Sequence, residues 1–165
     1  MKLDISSIVT TDGGRLTFQG ESVFEPVAFC GNKFSFEKKT VIDGEIFNSA
    51  GVFLLKARVS GEVTTHCARC GKPVRENFSF ELNEKLIKDG DESTEEDAIC
   101  FSGDVIDIGD LAVNGFLMNS PARYLCREDC KGLCPVCGIN RNEEECSCED
   151  DDIDPRLAVL NDLKF

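Results

Sequence analysis

A chain of 165 residues with 41% hydrophobic side chains can bury one core of ordinary size, or one core plus a small metal-held appendage. No apolar run approaches the roughly 18 residues of a membrane span, and the opening MKLDISSIVTTDGG lacks the unbroken apolar stretch of an export signal, so a cytoplasmic setting is expected. The formal net charge of −13 argues against broad binding to nucleic-acid phosphate, which depends on cations that displace counterions.

From about Arg15 to Ile87 the chain reads as β structure. FSFEKK (34–39), TVIDGEIF (40–47), VFLLKARVSGEVTT (52–65) and VRENFSFELNEKLI (74–87) are rich in Val, Phe, Thr and Ile, and several alternate with period two. Turn residues separate them at Gly31-Asn32, Asp43-Gly44, Asn48 to Gly51 and Gly71-Lys72-Pro73. The pattern predicts an α+β protein: an antiparallel β meander or partial barrel, one or two helices, and a C-terminal zinc knuckle.

An acidic run, KDGDESTEED (88–97), reads as a solvated loop. Asp107 can then cap a helix whose Ile108, Leu111, Ala112, Gly115 and Phe116 share one face, and Pro121 ends it. Residues 1–121 are expected to form the mainly β body, and 122–165 a cysteine-rich knuckle with a short closing helix. Asp154 as cap and Pro155 at the first helical position start that helix, and Leu157, Leu160 and Leu163 line one side.

The chemistry concentrates in the cysteines. Ten are many for a cytoplasmic chain, where clustered thiols are better read as metal ligands than as disulfides. In CREDCKGLCPVCGINRNEEECSC (126–148), the two residues between Cys134 and Cys137 let both sulfurs turn toward one tetrahedral zinc ion. Pro135 stiffens that turn, and Gly138 can take the positive φ that follows it. The remaining ligands are expected from Cys130, Cys126 and the Cys146/Cys148 pair. Cys130 is favoured over Cys126, and only one of the pair is favoured because Cys-x-Cys is tight for two ligands. Four thiolates on one zinc ion would move the charge from −13 to −15.

A second unit, Cys67-Ala68-Arg69-Cys70-Gly71-Lys72-Pro73, sits at the turn of the long hairpin. Cys67 and Cys70 could join Cys134 and Cys137 in a ribbon-type site across the chain, or form a hairpin turn with reduced thiols or a weak metal site. A thioredoxin-like role would need a Cys-x-x-Cys at the start of a helix, and neither unit is expected there.

Other residues offer less. His66, the only histidine, reads as a surface side chain. No phosphate-cradling glycine loop or catalytic triad can be placed, so no enzyme site and no small-molecule substrate are expected. Phe34, Phe36, Phe53, Phe78 and Phe80 imitate an RNA-stacking platform but fit a core at strand alternation. Arg69, Lys72 and Arg75 form the one compact basic cluster, a candidate contact for RNA or an acidic partner.

CARCGKPV (67–74), the helix ending in proline (108–121), CKGLCPVCGINRNEEECSC (130–148) and DPRLAVLNDL (154–163) occur in that order. Together they are similar to the YceD family, the large ribosomal RNA subunit accumulation proteins. Asn114-Gly115 stands where the family helix often holds an acidic residue. The resemblance implies a non-enzymatic ribosome biogenesis factor supporting large-subunit ribosomal RNA accumulation or processing. Its partners would be the ribosomal RNA precursor or basic ribosomal proteins, and its zinc would be structural. Two other classes compete: a zinc-ribbon nucleic-acid binder working apart from ribosomes, and a thiol redox protein.

Overall fold

The computed structural model describes residues 1–89 and 97–148. In chain order the elements are β1 (Lys2–Asp4), α1 (Ser6–Val9), β2 (Arg15–Ser22), β3 (Val27–Phe29), β4 (Asn32–Phe34), β5 (Thr40–Ser49), β6 (Val52–His66), β7 (Pro73–Lys88), β8 (Ile99–Phe101), β9 (Val105–Asp107) and α2 (Ile108–Asn119). The main sheet has five strands in the order β2-β5-β6-β7-β8. Two small sheets, β1-β9 and β3-β4, flank it.

Strand alternation decides which face is buried. Ile42 and Ile46 of β5, Phe53, Leu55, Ala57, Val59 and Val63 of β6, and Leu82 and Leu86 of β7 all point to one side and are buried. Their in-between neighbours, such as Asp43, Lys56, Arg58 and Glu81, face out. On the apolar side α2 lays Ile108, Ala112 and Phe116 into the core. Phe116 meets Phe34, Phe36 and Phe78 with ring centroids 5.3, 5.1 and 4.8 Å away.

The helix starts and stops where its sequence signals place it. The Asp107 carboxylate accepts from the backbone N–H groups of Gly109 at 3.0 Å and Asp110 at 3.4 Å. At the other end Ser120 is extended, with ψ 137°, as the residue before a proline prefers.

Four expectations need correction. The sheet is open, not a partial barrel: α1, α2 and the β3–β4 hairpin cover the apolar face that strand closure would otherwise have buried. It is not wholly antiparallel either, since β8 returns parallel to β7. Asp43-Gly44 is not a break but lies inside β5. Glycine suits that position because a Cβ there would meet the Lys56 carbonyl oxygen and, at 2.6 Å, the Ala57 Cα of the next strand. Finally, FSFEKK is not a strand: only Phe34 belongs to β4, and Ser35 makes one isolated bridge to Thr64. Most of the acidic run and the whole closing helix fall outside the described residues.

Two features were not anticipated. β1 pairs with β9, and α1 is pinned by the buried Asn48. The Asn48 amide donates to the carbonyls of Ile8 at 2.7 Å and Val9 at 3.1 Å, and its oxygen accepts from Gly51 N–H at 3.0 Å. Among the described residues no helix is long and apolar enough to cross a membrane.

Candidate metal centres

Both Cys-x-x-Cys-Gly units fold into the same tight turn. Cys67 N–H donates to the Lys72 carbonyl at 2.7 Å while its own carbonyl accepts from Gly71 N–H at 2.9 Å. Cys134 repeats the pattern, donating to Ile139 at 2.8 Å and accepting from Gly138 at 2.9 Å. Gly71 and Gly138 close these turns at φ +71° and +77°, a region costly for any residue with a Cβ. The first turn joins β6 to β7, and the second lies in the irregular segment after α2; neither stands at a helix start.

Each turn is completed by a second pair of sulfurs. Cys67, Cys70, Cys126 and Cys130 form one group, and Cys134, Cys137, Cys146 and Cys148 the other, with the sulfurs of each group all within 4.8 Å of one another. In the first group Cys67 and Cys130 sulfurs are 3.8 Å apart, and Cys70 and Cys126 sulfurs 3.6 Å. Four sulfurs at about 2.3 Å from one ion, tetrahedrally arranged, stand about 3.8 Å apart. The spacing therefore fits a metal ion, and each group could hold one. Two thiols in contact can stand as close; what suits a four-coordinate ion is the convergence of four sulfurs from two stretches of chain within 4.8 Å of one another.

The expected ligands are all present but divided differently. Cys130 does not join Cys134 and Cys137; it pairs with Cys126 across from the hairpin turn. Cys67 and Cys70 accordingly meet Cys126 and Cys130, not the second turn. Both Cys146 and Cys148 reach the second group, although their spacing suggested room for one. Of the ten cysteines, Cys30 and Cys100 stay outside both groups, exposed on the β3–β4 turn and on β8.

The thiols within each group do not ionise alike. Burial opposes ionisation of Cys67, but the backbone N–H groups of Cys126, Cys70 and Arg69 outweigh it and bring the thiol down to about 6. The Cys137 and Val136 N–H groups do the same for Cys134, also to about 6. Desolvation and the neighbouring Cys70 and Cys130 sulfurs push Cys126 up to about 12. The Cys137 sulfur, with desolvation, pushes Cys148 up to about 12. Within each group, then, one thiol is held low and another is pushed high.

The first group also anchors the C-terminal segment on the body. Tyr124 is buried against Phe34, its ring 5.7 Å away, and its carbonyl accepts from Ala68 N–H at 2.9 Å. The Arg69 guanidinium donates to the carbonyls of Glu128 at 3.2 Å and Cys130 at 2.7 Å. Cys67, Cys70, Val74 and Cys130, with Leu125, form a small satellite core around the sulfurs.

The basic cluster proves to be tied up within the chain. Arg69 grips the segment just described, Lys72 pairs with Glu143, and Arg75 lies 3.2 Å from Glu37. His66 is exposed, as its sequence suggested. Phe34, Phe36 and Phe53 are buried, while Phe78 and Phe80 are half-buried beside a 220 Å³ cleft next to α2.

The arrangement defines a small β-sheet protein with two four-cysteine groups, each fit for one metal ion, in and around a C-terminal segment stapled to its longest hairpin. The chain belongs to the YceD family: residues 55–164 match the family described as large ribosomal RNA subunit accumulation protein YceD. It is 34% identical over 119 residues to the uncharacterized proteins Rv2926c of Mycobacterium tuberculosis and Mb2951c of Mycobacterium bovis, covering 70% of this chain and 56% of each relative. With the uncharacterized protein ML1660 of Mycobacterium leprae it shares 30% over 114 residues, 67% of this chain and 52% of that one. The chain spans about half the length of these curated relatives. No solved structure matches it significantly.

Proposed function

We propose that this protein is a non-enzymatic cytoplasmic factor supporting accumulation or processing of large-subunit ribosomal RNA, with two structural zinc ions, one in each four-cysteine group. Membership of the YceD family supports the ribosomal role. The observation that carries the zinc is the convergence of four cysteine sulfurs within 4.8 Å of one another in each group, an all-sulfur donor set. Zinc held by four thiolates has no open position for a substrate, which fits a structural ion and a chain acting by binding.

The direct partner is a basic ribosomal protein of the assembling large subunit, or the ribosomal RNA precursor through a local patch. A net charge of −13 and the in-chain pairing of Arg69, Lys72 and Arg75 favour the protein. Neither a membrane nor a small-molecule substrate is involved.

Depletion of the protein is expected to lower large-subunit ribosomal RNA relative to small-subunit RNA, and tagged protein should co-sediment with large-subunit precursors. An unchanged RNA ratio refutes the ribosomal role. Elemental analysis of reduced protein should find two zinc ions per chain. Thiols that alkylate at once, before any chelator is added, would point to a redox protein instead. RNA binding with a steep salt dependence and no ribosomal association would point to an independent nucleic-acid binder.

A further inference from the structure

The two four-cysteine groups are consecutive in the chain, and one side chain reaches from the loop of the second to a sulfur of the first. Asn142 lies between Cys137 and Cys146. Its amide nitrogen donates to the Cys130 sulfur at 3.3 Å and to the Asn140 side-chain oxygen at 2.7 Å. Its oxygen accepts from Lys131 N–H at 2.8 Å and from the Arg127 guanidinium at 2.7 Å. The amide orientation is not arbitrary. Lys131 N–H and Arg127 can only donate, so the oxygen must face them and the nitrogen must face the sulfur.

The loop that carries Asn142 is shaped by the second group. Cys134 and Cys137 fix its start, and Cys146 and Cys148 fix its return. In between, Arg141 N–H donates to Gly132 at 3.0 Å, and the Glu143 and Glu144 N–H groups donate to Asn140 at 2.9 and 3.1 Å. The first of these bonds sets the loop against the Cys130–Cys134 linker, and the other two fold the loop on itself. An unliganded second group would release the loop's ends and, with them, the donor on Cys130.

We propose that Asn142 is a positioning residue that couples the two metal sites, so that an ion in the outer group (Cys134, Cys137, Cys146, Cys148) strengthens binding in the inner group (Cys67, Cys70, Cys126, Cys130). This rests on the reading of both groups as metal sites. A hydrogen bond to a ligating thiolate disperses its charge and holds its orientation, and losing such an outer contact typically costs 10–100-fold in metal affinity. The coupling must be reciprocal: an ion in the inner group raises the affinity of the outer group by the same factor.

The test uses the full chain titrated with cobalt(II) against a competing chelator, with the thiolate-to-cobalt absorption reporting site occupancy. Wild type should bind two ions. Cys137→Ser disables the outer group and should weaken the inner site by ~10–100-fold. Asn142→Ala should weaken the inner site by a similar factor with the outer group intact, and in the double variant the two losses should not add. Asn142→Asp keeps the oxygen for Lys131 N–H but puts a carboxylate oxygen where the donor stood. It should lose at least as much affinity as Asn142→Ala, whereas Asn140→Ala, which removes the loop-bracing acceptor and leaves the donor on Cys130, should lose much less. Inner-site affinities within about threefold of wild type in Asn142→Ala and Asn142→Asp, with circular dichroism unchanged, overturn the coupling while leaving both sites standing. A wild-type chain that binds no cobalt overturns the metal reading itself.

Discussion

Chelating the metal under reducing conditions should open residues 125–133 and leave the centre of the sheet, around Lys56 and Arg58, closed. Apart from the sulfurs, this segment is held by the Arg69 bonds to Glu128 and Cys130, the Leu133 N–H bond to Arg69 at 3.1 Å, the Arg141 N–H bond to Gly132 at 3.0 Å, and the Lys131 and Arg127 bonds to Asn142. Each contributes about 1 kcal/mol, whereas ordering each residue costs about 1–2 kcal/mol. Leu125 is half-buried and Leu133 is 47% exposed, so apolar burial cannot make up the difference. On the proposed reading, a bound ion supplies it. Free zinc buffered at a hundredfold its dissociation constant stabilises the closed form by about 2.7 kcal/mol, roughly a hundredfold in population. Trypsin reads this directly, because Arg127 and Lys131 lie in the segment while Lys56 and Arg58 lie in the central strand. Cleavage after Arg127 and Lys131 should slow about a hundredfold across that zinc range, with cleavage after Lys56 and Arg58 unchanged. Equal rates at Arg127 with and without chelator would show that the segment holds itself and would refute the role given to the ion.

The remaining predictions concern protons and packing. Cys126 and Cys148, pushed up to about 12, are still protonated at neutral pH, so each ion must displace at least one proton from its site. Affinity should therefore fall at least about tenfold at each site per pH unit lowered between about pH 8 and 6, and chelator-competition titrations that are flat in pH would contradict this. Asn48→Ala strips the buried carbonyls of Ile8 and Val9 of their donor and should cost about 2–3 kcal/mol in urea unfolding. A loss below about 0.5 kcal/mol would show that α1 is not held through Asn48.

How far the sequence could be read depended on whether a signal was local. The long hairpin of β6 and β7, the Asp107 cap, the Pro121 stop and the knuckle at Cys134 were all legible, because each is decided by residues within a few positions. Asp43-Gly44 misled because a glycine that admits a neighbouring strand looks the same in sequence as one that turns the chain. The open sheet was hidden because its closure depends on what covers the far face, here α2 and the β3–β4 hairpin. The sulfur partnership was missed for a related reason: Cys67 and Cys130 are 63 positions apart, and only the folded sheet brings them together. One clue was nonetheless available. Two Cys-x-x-Cys-Gly turns each need a second pair, and Cys126/Cys130 and Cys146/Cys148 supply two.

The inner site sits where the main sheet runs out of strands. β5 pairs with β6 only as far as Ser60, and β8 pairs with β7 only at Leu86 to Lys88. Beyond that, Gly61 to His66 and Pro73 to Phe78 form a two-stranded ribbon, with the lone Ser35–Thr64 bridge on its outer side. Two strands alone are marginal in water. The ribbon also carries Val63, which is buried in the core, so fraying would bare apolar surface at this end of the sheet. An ion held by Cys67 and Cys70 would clamp its tip to Cys126 and Cys130 and take the place of the missing strands. The outer site has no such position, since all its ligands lie within residues 134–148. Disabling the inner site with Cys70→Ser should therefore speed amide exchange from Gly61 to His66 while Leu55 to Val59 stay protected, and Cys148→Ser should leave both stretches within about tenfold of wild type. Equal loss of protection in the two variants would mean that the ribbon does not depend on the ion at its own tip.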